Sequence, residues 1–265
     1  MQLPRTVNAG SPFTISTSGS GHAMLYIIGP AQALGRDVEM GQSIAIAPGE
    51  LHNAGHYLAV LVNGSSAQTE ELDVIAAEQP GSLGFLAKPS RLPVGMRKGI
   101  SGAVYVFDAY RNLILNPLPA SLELSIPSGT AQSRAVTTRN GLAWAEMDSG
   151  GREGPAKFIA KVGAVSSARV IQQVPGDPCR ITITARQVAS RLEVETAPVR
   201  DCSGNAIPDG TIVTFTERFN DTQSTVDVPL KEGVAKVSMP ANPGAKISAA
   251  SGVVAGNEIR WEGGR

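Results

Sequence analysis

Histidine is nearly missing from this chain. Three occur in 265 residues, His22, His52 and His56, all in the first quarter. Acyl-transfer chemistry of the Ser-His-Asp kind needs a histidine held beside a nucleophile, and the region holding these three is poorly suited to a cleft. No Gly-x-Ser-x-Gly, no glycine-rich phosphate loop between a strand and a helix, and no His-Glu-x-x-His occurs. Aromatic residues are only 5 % of the chain, few for stacking sugars or bases. Lys and Arg are scattered singly between apolar residues, without the clusters that track a nucleic-acid backbone. No run of eighteen apolar residues is present, so no segment reads as a membrane-spanning helix. These absences predict a protein that is not an enzyme, carries no cofactor or metal, and binds no nucleic acid. The start, Met1-Gln2-Leu3-Pro4, has no basic segment followed by an apolar one. Either a leader has already been removed or the protein is cytosolic, and the first option suits the remaining features better.

What the chain does have is turns, short strands and an internal echo. It holds 29 glycines and 18 prolines, ordinary for many short strands joined by turns. Val104-Tyr105-Val106-Phe107-Asp108-Ala109-Tyr110-Arg111-Asn112 is answered ninety-three residues on by Ala197-Pro198-Val199-Arg200-Asp201-Cys202-Ser203-Gly204-Asn205. Asn140–Met147 is answered by Glu232–Met239, and Ala156–Val165 by Ala245–Val254. A period near ninety is too long for a solenoid turn and right for a whole small β-sandwich.

Alternating apolar residues predict seven strands in the last third: 180–184, 191–199, 211–216, 225–230, 233–239, 246–250 and 258–261. The middle third repeats the plan with strands at 83–87, 102–107, 120–126, 134–138, 141–147, 156–162 and 168–173. The first third offers 12–16, 23–28, 43–46, 56–62 and 68–75, the last two joined by a turn at Asn63-Gly64-Ser65-Ser66. No segment carries a helical apolar stripe. The expected fold is all-β, three tandem immunoglobulin-like Greek-key sandwiches. The expected domains are 1–78, 79–174 and 175–265, the last two joined by the stiff link Val174-Pro175-Gly176-Asp177-Pro178.

The sequence Asp201-Cys202-Ser203-Gly204-Asn205-Ala206-Ile207-Pro208-Asp209-Gly210-Thr211-Ile212-Val213-Thr214-Phe215 carries a resemblance. A strand, Asp-x-x-x-Asn, a proline, an alternating strand, then Gly-Val/Leu-Ala and a closing strand resembles bacterial immunoglobulin-like domains of the invasin and intimin type. The resemblance covers the middle and last thirds and touches the first only loosely. The middle copy departs from the pattern, with Tyr110-Arg111 where a turn glycine is usual. The resemblance implies secreted or surface-attached modules that serve as stalks, spacers and adhesive tips, and its motifs encode turns and core rather than chemistry.

Few residues remain as candidates for chemistry. Cys179 opens the first strand of the last third and Cys202 follows the second, so antiparallel pairing would set them side by side. A disulfide there would close a loop of roughly two dozen residues, worth about 3 kcal/mol in the chain-entropy model, and would place the protein in an oxidising compartment. Two buried thiols or half of a metal site are the alternatives. His52 and His56, with Glu50, make a zinc site conceivable, but a loop histidine beside a solvent-facing one is the expected arrangement. Asp108/Asn112 and Asp201/Asn205 offer too few oxygens for calcium unless a neighbouring domain adds ligands, and the turn itself explains them. Trp144 aligns with Lys236 on the outer face of its strand; it is expected either to pack on a loop or neighbouring domain or to serve as a candidate partner contact. Trp261 is expected to pack ordinarily. Asn63-Gly64-Ser65 and Asn220-Asp221-Thr222 fit the glycosylation pattern.

Charge is balanced overall but not locally. Residues 1–78 hold two Lys/Arg against seven Asp/Glu, a net −5; residues 79–174 hold eleven against five, a net +6; residues 175–265 hold ten against eleven, a net −1. This asymmetry is expected either to match across the first domain interface or to be plain surface variation. The function expected from sequence is a non-catalytic, exported stalk or adhesion module that meets a protein or glycan surface partner. It is placed outside the cell, at the cell surface or in the periplasm. The alternative is an accessory carbohydrate-binding region of an extracellular enzyme.

Overall fold

Short runs that alternate apolar and polar side chains are half-buried strands, and the chain is built of them from end to end. The computed structural model describes residues 1–126 and 129–263. Among the described residues there is no helix. The last two residues of the expected third domain, 264 and 265, lie outside them.

Buried apolar side chains gather in three separate clusters, each enclosed by its own sheets. Around the first lie β1 (Thr6–Asn8), β2 (Phe13–Ser16), β3 (His22–Ile28), β4 (Ala33–Glu39), β5 (Ser43–Ile46), β6 (Gly55–Asn63) and β7 (Ser66–Ile75). They form a sheet in the order β1-β7-β6-β3-β4 and a pair β2-β5. Around the second lie β8 (Ser82–Lys88), β9 (Arg91–Pro93), β10 (Ile100–Phe107), β11 (Pro119–Ser125), β12 (Gln132–Thr137), β13 (Leu142–Met147), β14 (Gly154–Val162) and β15 (Val165–Val174). Their sheets run β13-β10-β8 and β12-β11-β14-β15-β9. Around the third lie β16 (Pro178–Arg180), β17 (Ile183–Val188), β18 (Arg191–Thr196), β19 (Arg200–Asp201), β20 (Ile212–Phe219), β21 (Thr222–Pro229), β22 (Lys236–Pro240), β23 (Lys246–Ser251) and β24 (Val254–Arg260). Here β17-β18-β22 and the pair β16-β19 oppose β21-β20-β23-β24. We call these the first, middle and last sandwiches.

Every strand expected from the alternation is present, with ends moved by a few residues. In the last sandwich the first expected strand is split between β16 and β17, the second stops at Thr196, and the two-residue β19 beyond it pairs with β16 apart from β17 and β18. β1 and β9 were not expected. Each is three residues long and closes a sheet by parallel pairing, β1 with β7 and β9 with β15, a contact that local pattern does not announce. β4 was also missed: Ala33-Leu34-Gly35-Arg36-Asp37-Val38-Glu39 is an edge strand with one fully buried side chain, so its alternation is weak.

In the middle core Phe85 meets Phe158 edge-on, centroids 5.1 Å apart, a favoured aromatic geometry. Gly102 of β10 makes room for it, because a Cβ there would lie 2.6 Å from the Phe158 ring. The glycine is thus a packing residue, trading strand propensity for a larger neighbour.

Candidate functional site

The turn after the second long strand of the middle and last sandwiches does more than reverse the chain. In the middle copy Asp108 Oδ1 accepts from the backbone N–H of Tyr110 (2.9 Å) and Asn112 (2.8 Å). In the last copy Asp201 Oδ1 accepts from Ser203 (2.9 Å) and Asn205 (2.8 Å). These bonds close the turn, as Asp side chains commonly do. The other carboxylate oxygen faces the preceding link. Asp108 Oδ2 accepts from the Ala77 N–H at 3.0 Å, and Asp201 Oδ2 from the Gly176 N–H at 3.0 Å.

The asparagines then reach into the sandwich before. Asn112 Nδ2 donates to the His52 carbonyl (2.7 Å), and its Oδ1 accepts from the Ala54 N–H (2.8 Å). Asn205 Nδ2 donates to the Gly151 carbonyl (3.0 Å), and its Oδ1 accepts from the Glu153 N–H (3.2 Å). Each Asn amide is also held by its own Asp, at 2.9 Å and 2.8 Å. The receiving loops are equivalent, each entering a long strand, and each is pinned by a second loop: Gly10 N–H donates to Leu51 O, and Gly95 N–H to Gly150 O. The Asp-x-x-x-Asn sequence, expected to serve the turn alone, therefore builds the same joint twice.

The two joints differ in one filling. Tyr110 stacks on His52, centroids 5.5 Å apart, and lies over Gly10, where φ is +74° and a Cβ would collide with the tyrosine ring. Ser203 takes the place of Tyr110 at the second joint, beside Gly95, and fills much less. The second joint instead carries Cys179 bonded to Cys202, with Cα atoms 4.7 Å apart. Asp201 sits beside that bond and is nearly fully buried. Desolvation would raise its pKa. The Asn205 side chain and the N–H groups of Gly176, Asn205 and Ser203 outweigh this and hold the carboxyl below the usual aspartate range.

A metal finds little here. Both carboxylates spend their oxygens on N–H donors, and the described residues contain no cluster of three His, Cys, Asp or Glu placed to hold an ion. His52 and His56 serve separate tasks. The His52 Nδ1 lies 3.0 Å from Gly49 O inside the joint. His56 lies on the outer sheet face, its Nδ1 2.9 Å from Asp73, whose hydrogen bond raises the histidine pKa. Trp261 packs against the last core.

Trp144 stands 62 % exposed, so the expected packing against a loop or neighbouring domain is not what the structure shows. It belongs to a row across one sheet: Leu86, Ala103 and Trp144 are direct cross-strand neighbours. Tyr105 and Leu142 form the next row, with Gly84. Around Trp144 a shallow depression is lined by Arg97, Lys98, Arg134, Val136, Glu146 and Asp148. In the last sandwich the same outer positions hold Thr184, Glu195 and Lys236. There Glu193 binds Lys236 at 3.1 Å and Arg186 at 2.6 Å, and its carboxyl pKa is lowered by Lys236 first and Arg186 second.

In sequence, no family model and no curated protein matches the chain. In fold it is similar to FdeC, an adhesin of Escherichia coli, at 13 % identity with a TM-score of 0.62 over 98 % of each chain. It is also similar to InvD of Yersinia pseudotuberculosis, at 12 % identity with a TM-score of 0.52 over 97 % of this chain and 95 % of that one. Likeness at this identity is one of fold, since function lives in sites rather than folds. The chain has an all-β, immunoglobulin-like fold, similar to that of these two proteins and in keeping with what its Asp-x-x-x-Asn pattern implied.

Proposed function

We propose that the chain is a non-catalytic spacer of an exported surface protein, with three immunoglobulin-like domains (1–78, 79–174 and 175–265) held in a stiff row to carry adhesive contacts away from the cell. The observation that carries this reading is the joint made twice. A flexible tether needs no side chain buried between its domains, whereas here one Asp and one Asn per joint tie turn, link and preceding loop together. Three hydrogen bonds per joint leave the turn for the link and the preceding loop; at about 1 kcal/mol net each they are enough to bias the orientation of neighbouring sandwiches. The fold likeness to an adhesin and a disulfide suited to an oxidising compartment support the same reading.

Small-angle scattering tests it. The wild-type protein should behave as a rod whose longest dimension is on the order of 100 Å, about three strand lengths of 33 Å. Asn112→Ala with Asn205→Ala should leave each sandwich folded by circular dichroism while broadening the distance distribution. A wild type that already samples bent shapes as widely as the double variant would sink the spacer reading.

A further inference from the structure

The charge imbalance between the first and middle sandwiches is not used inside the chain. Among the described residues every ion pair lies within one sandwich, and none crosses a joint. The joint between them is built from Asp108, Asn112, Tyr110, His52 and backbone, and the Asp108 oxygens are taken up by N–H donors rather than by a cation of the other sandwich. The net −5 and net +6 are therefore open to an external partner.

Each of these sandwiches also exposes an apolar sheet face. On the first, Ile28 (51 % exposed) and Leu58 (42 %) are cross-strand neighbours, with Tyr26 beside Val60 in the next row. Glu71 lies next to Leu58 and Asp37 next to Met24 on that face; neither forms an ion pair among the described residues, and Glu71 adds to the field that raises the His56 pKa. On the middle sandwich, Trp144 and Leu86 form the apolar row. Lys98 reaches Glu146 at 3.8 Å, while Arg97, Arg134 and Asp148, whose carboxylate accepts from the Lys98 backbone N–H, form no ion pair among the described residues, so bases exceed acids there. The first face is apolar with acids in excess, the middle face apolar with bases in excess.

We infer that the chain binds a second copy of itself, the Leu58 face of the first sandwich seating on the Trp144 face of the middle sandwich in the other copy. The contact joins two different patches, so it either closes between two antiparallel copies or continues as a chain. Opposite charge steers the encounter and the apolar rows supply the burial. This inference is separate from the spacer reading: joints are read by scattering shape, self-association by mass.

Sedimentation velocity of the full chain over a concentration series, at low and high ionic strength, tests it. The expected result is reversible association that weakens as salt screens the charges. Trp144→Glu and Leu58→Lys should each weaken it by about thirtyfold or more, the size of a hot-spot loss, with unchanged circular dichroism. Mixing the two variants should restore part of it, because one intact face remains on each. Monomer at every concentration in low salt overturns the proposal. So does loss on Trp144→Glu with no effect of Leu58→Lys, which would mean that the Trp144 face meets itself. Binding of a glycan through Trp144 without self-association also overturns it and makes that face a saccharide site.

Discussion

Leu86, Ala103 and Trp144 of the middle sandwich occupy the outer-face positions that Thr184, Glu195 and Lys236 hold in the last. The strands, their order and their inward residues correspond, yet one face is apolar and the other is tied by Arg186, Glu193 and Lys236. A strand fixes only which side chains face in. The outward set is free to change without touching the core, so difference between copies gathers there. The interiors differ too, but in a compensated way. Gly102 and Phe158 of the middle core stand where the last core has Val194 and Ile247, all fully buried.

That compensation can be tested directly. Gly102→Val should overpack against Phe158 and cost about 1–3 kcal/mol, read by urea unfolding. Adding Phe158→Ile, which copies the last sandwich at both positions, should recover much of the loss. If the double variant is as unstable as the two single effects summed, the pairs do not exchange volume and the comparison fails at its core. Reducing Cys179–Cys202 probes the last sandwich in the same way. The bond spans 23 residues of sequence, and its loss should cost the last sandwich about 3 kcal/mol in the chain-entropy model while sparing the middle one. Hydrogen exchange followed by peptide mass separates the two. Equal loosening of both would show that the joint transmits the strain. The smallest effect is on pH. The Asp201 carboxyl is depressed in the folded state, so its contribution to stability is complete above the ordinary aspartate value of about 3.9 and disappears as pH falls through the lower folded value. Thermal melts should show the last sandwich weakening below about pH 4, less steeply in Asp201→Asn. An unchanged slope would mean that the carboxylate bonds in this joint add nothing.

Much of this architecture was legible because it is local. Runs such as Ala120–Ile126 and Lys246–Ala250 alternate, and the ninety-residue echo aligned them. The cysteine pairing followed from antiparallel neighbours at a strand start and a strand end, and β16 with β19 supplies that pairing. β1, β4 and β9 were not legible. Short parallel closures and a weakly alternating edge take their meaning from partners far along the chain. Trp144 was placed on the correct face by register, but what lay in front of it was a matter of tertiary structure. The joints were half legible. Asp108 and Asp201 read as turn residues, which they are, whereas Asn112 and Asn205 bond carbonyls 60 and 54 residues earlier. A signal was available: the Asp-x-x-x-Asn turn recurs together with an equivalent link and receiving loop.

By itself the sequence determined most of the strands, the β class and the ninety-residue unit, and offered the bridge between Cys179 and Cys202 as one of three readings, because periodicity and turn chemistry act over a few residues. Only the tertiary structure decided that an asparagine in a turn is the latch of a joint, that the ion pairs among the described residues form within sandwiches and not between them, and that Trp144 meets solvent. Those outcomes depend on which surfaces the fold brings together, and separation along the chain carries no record of that.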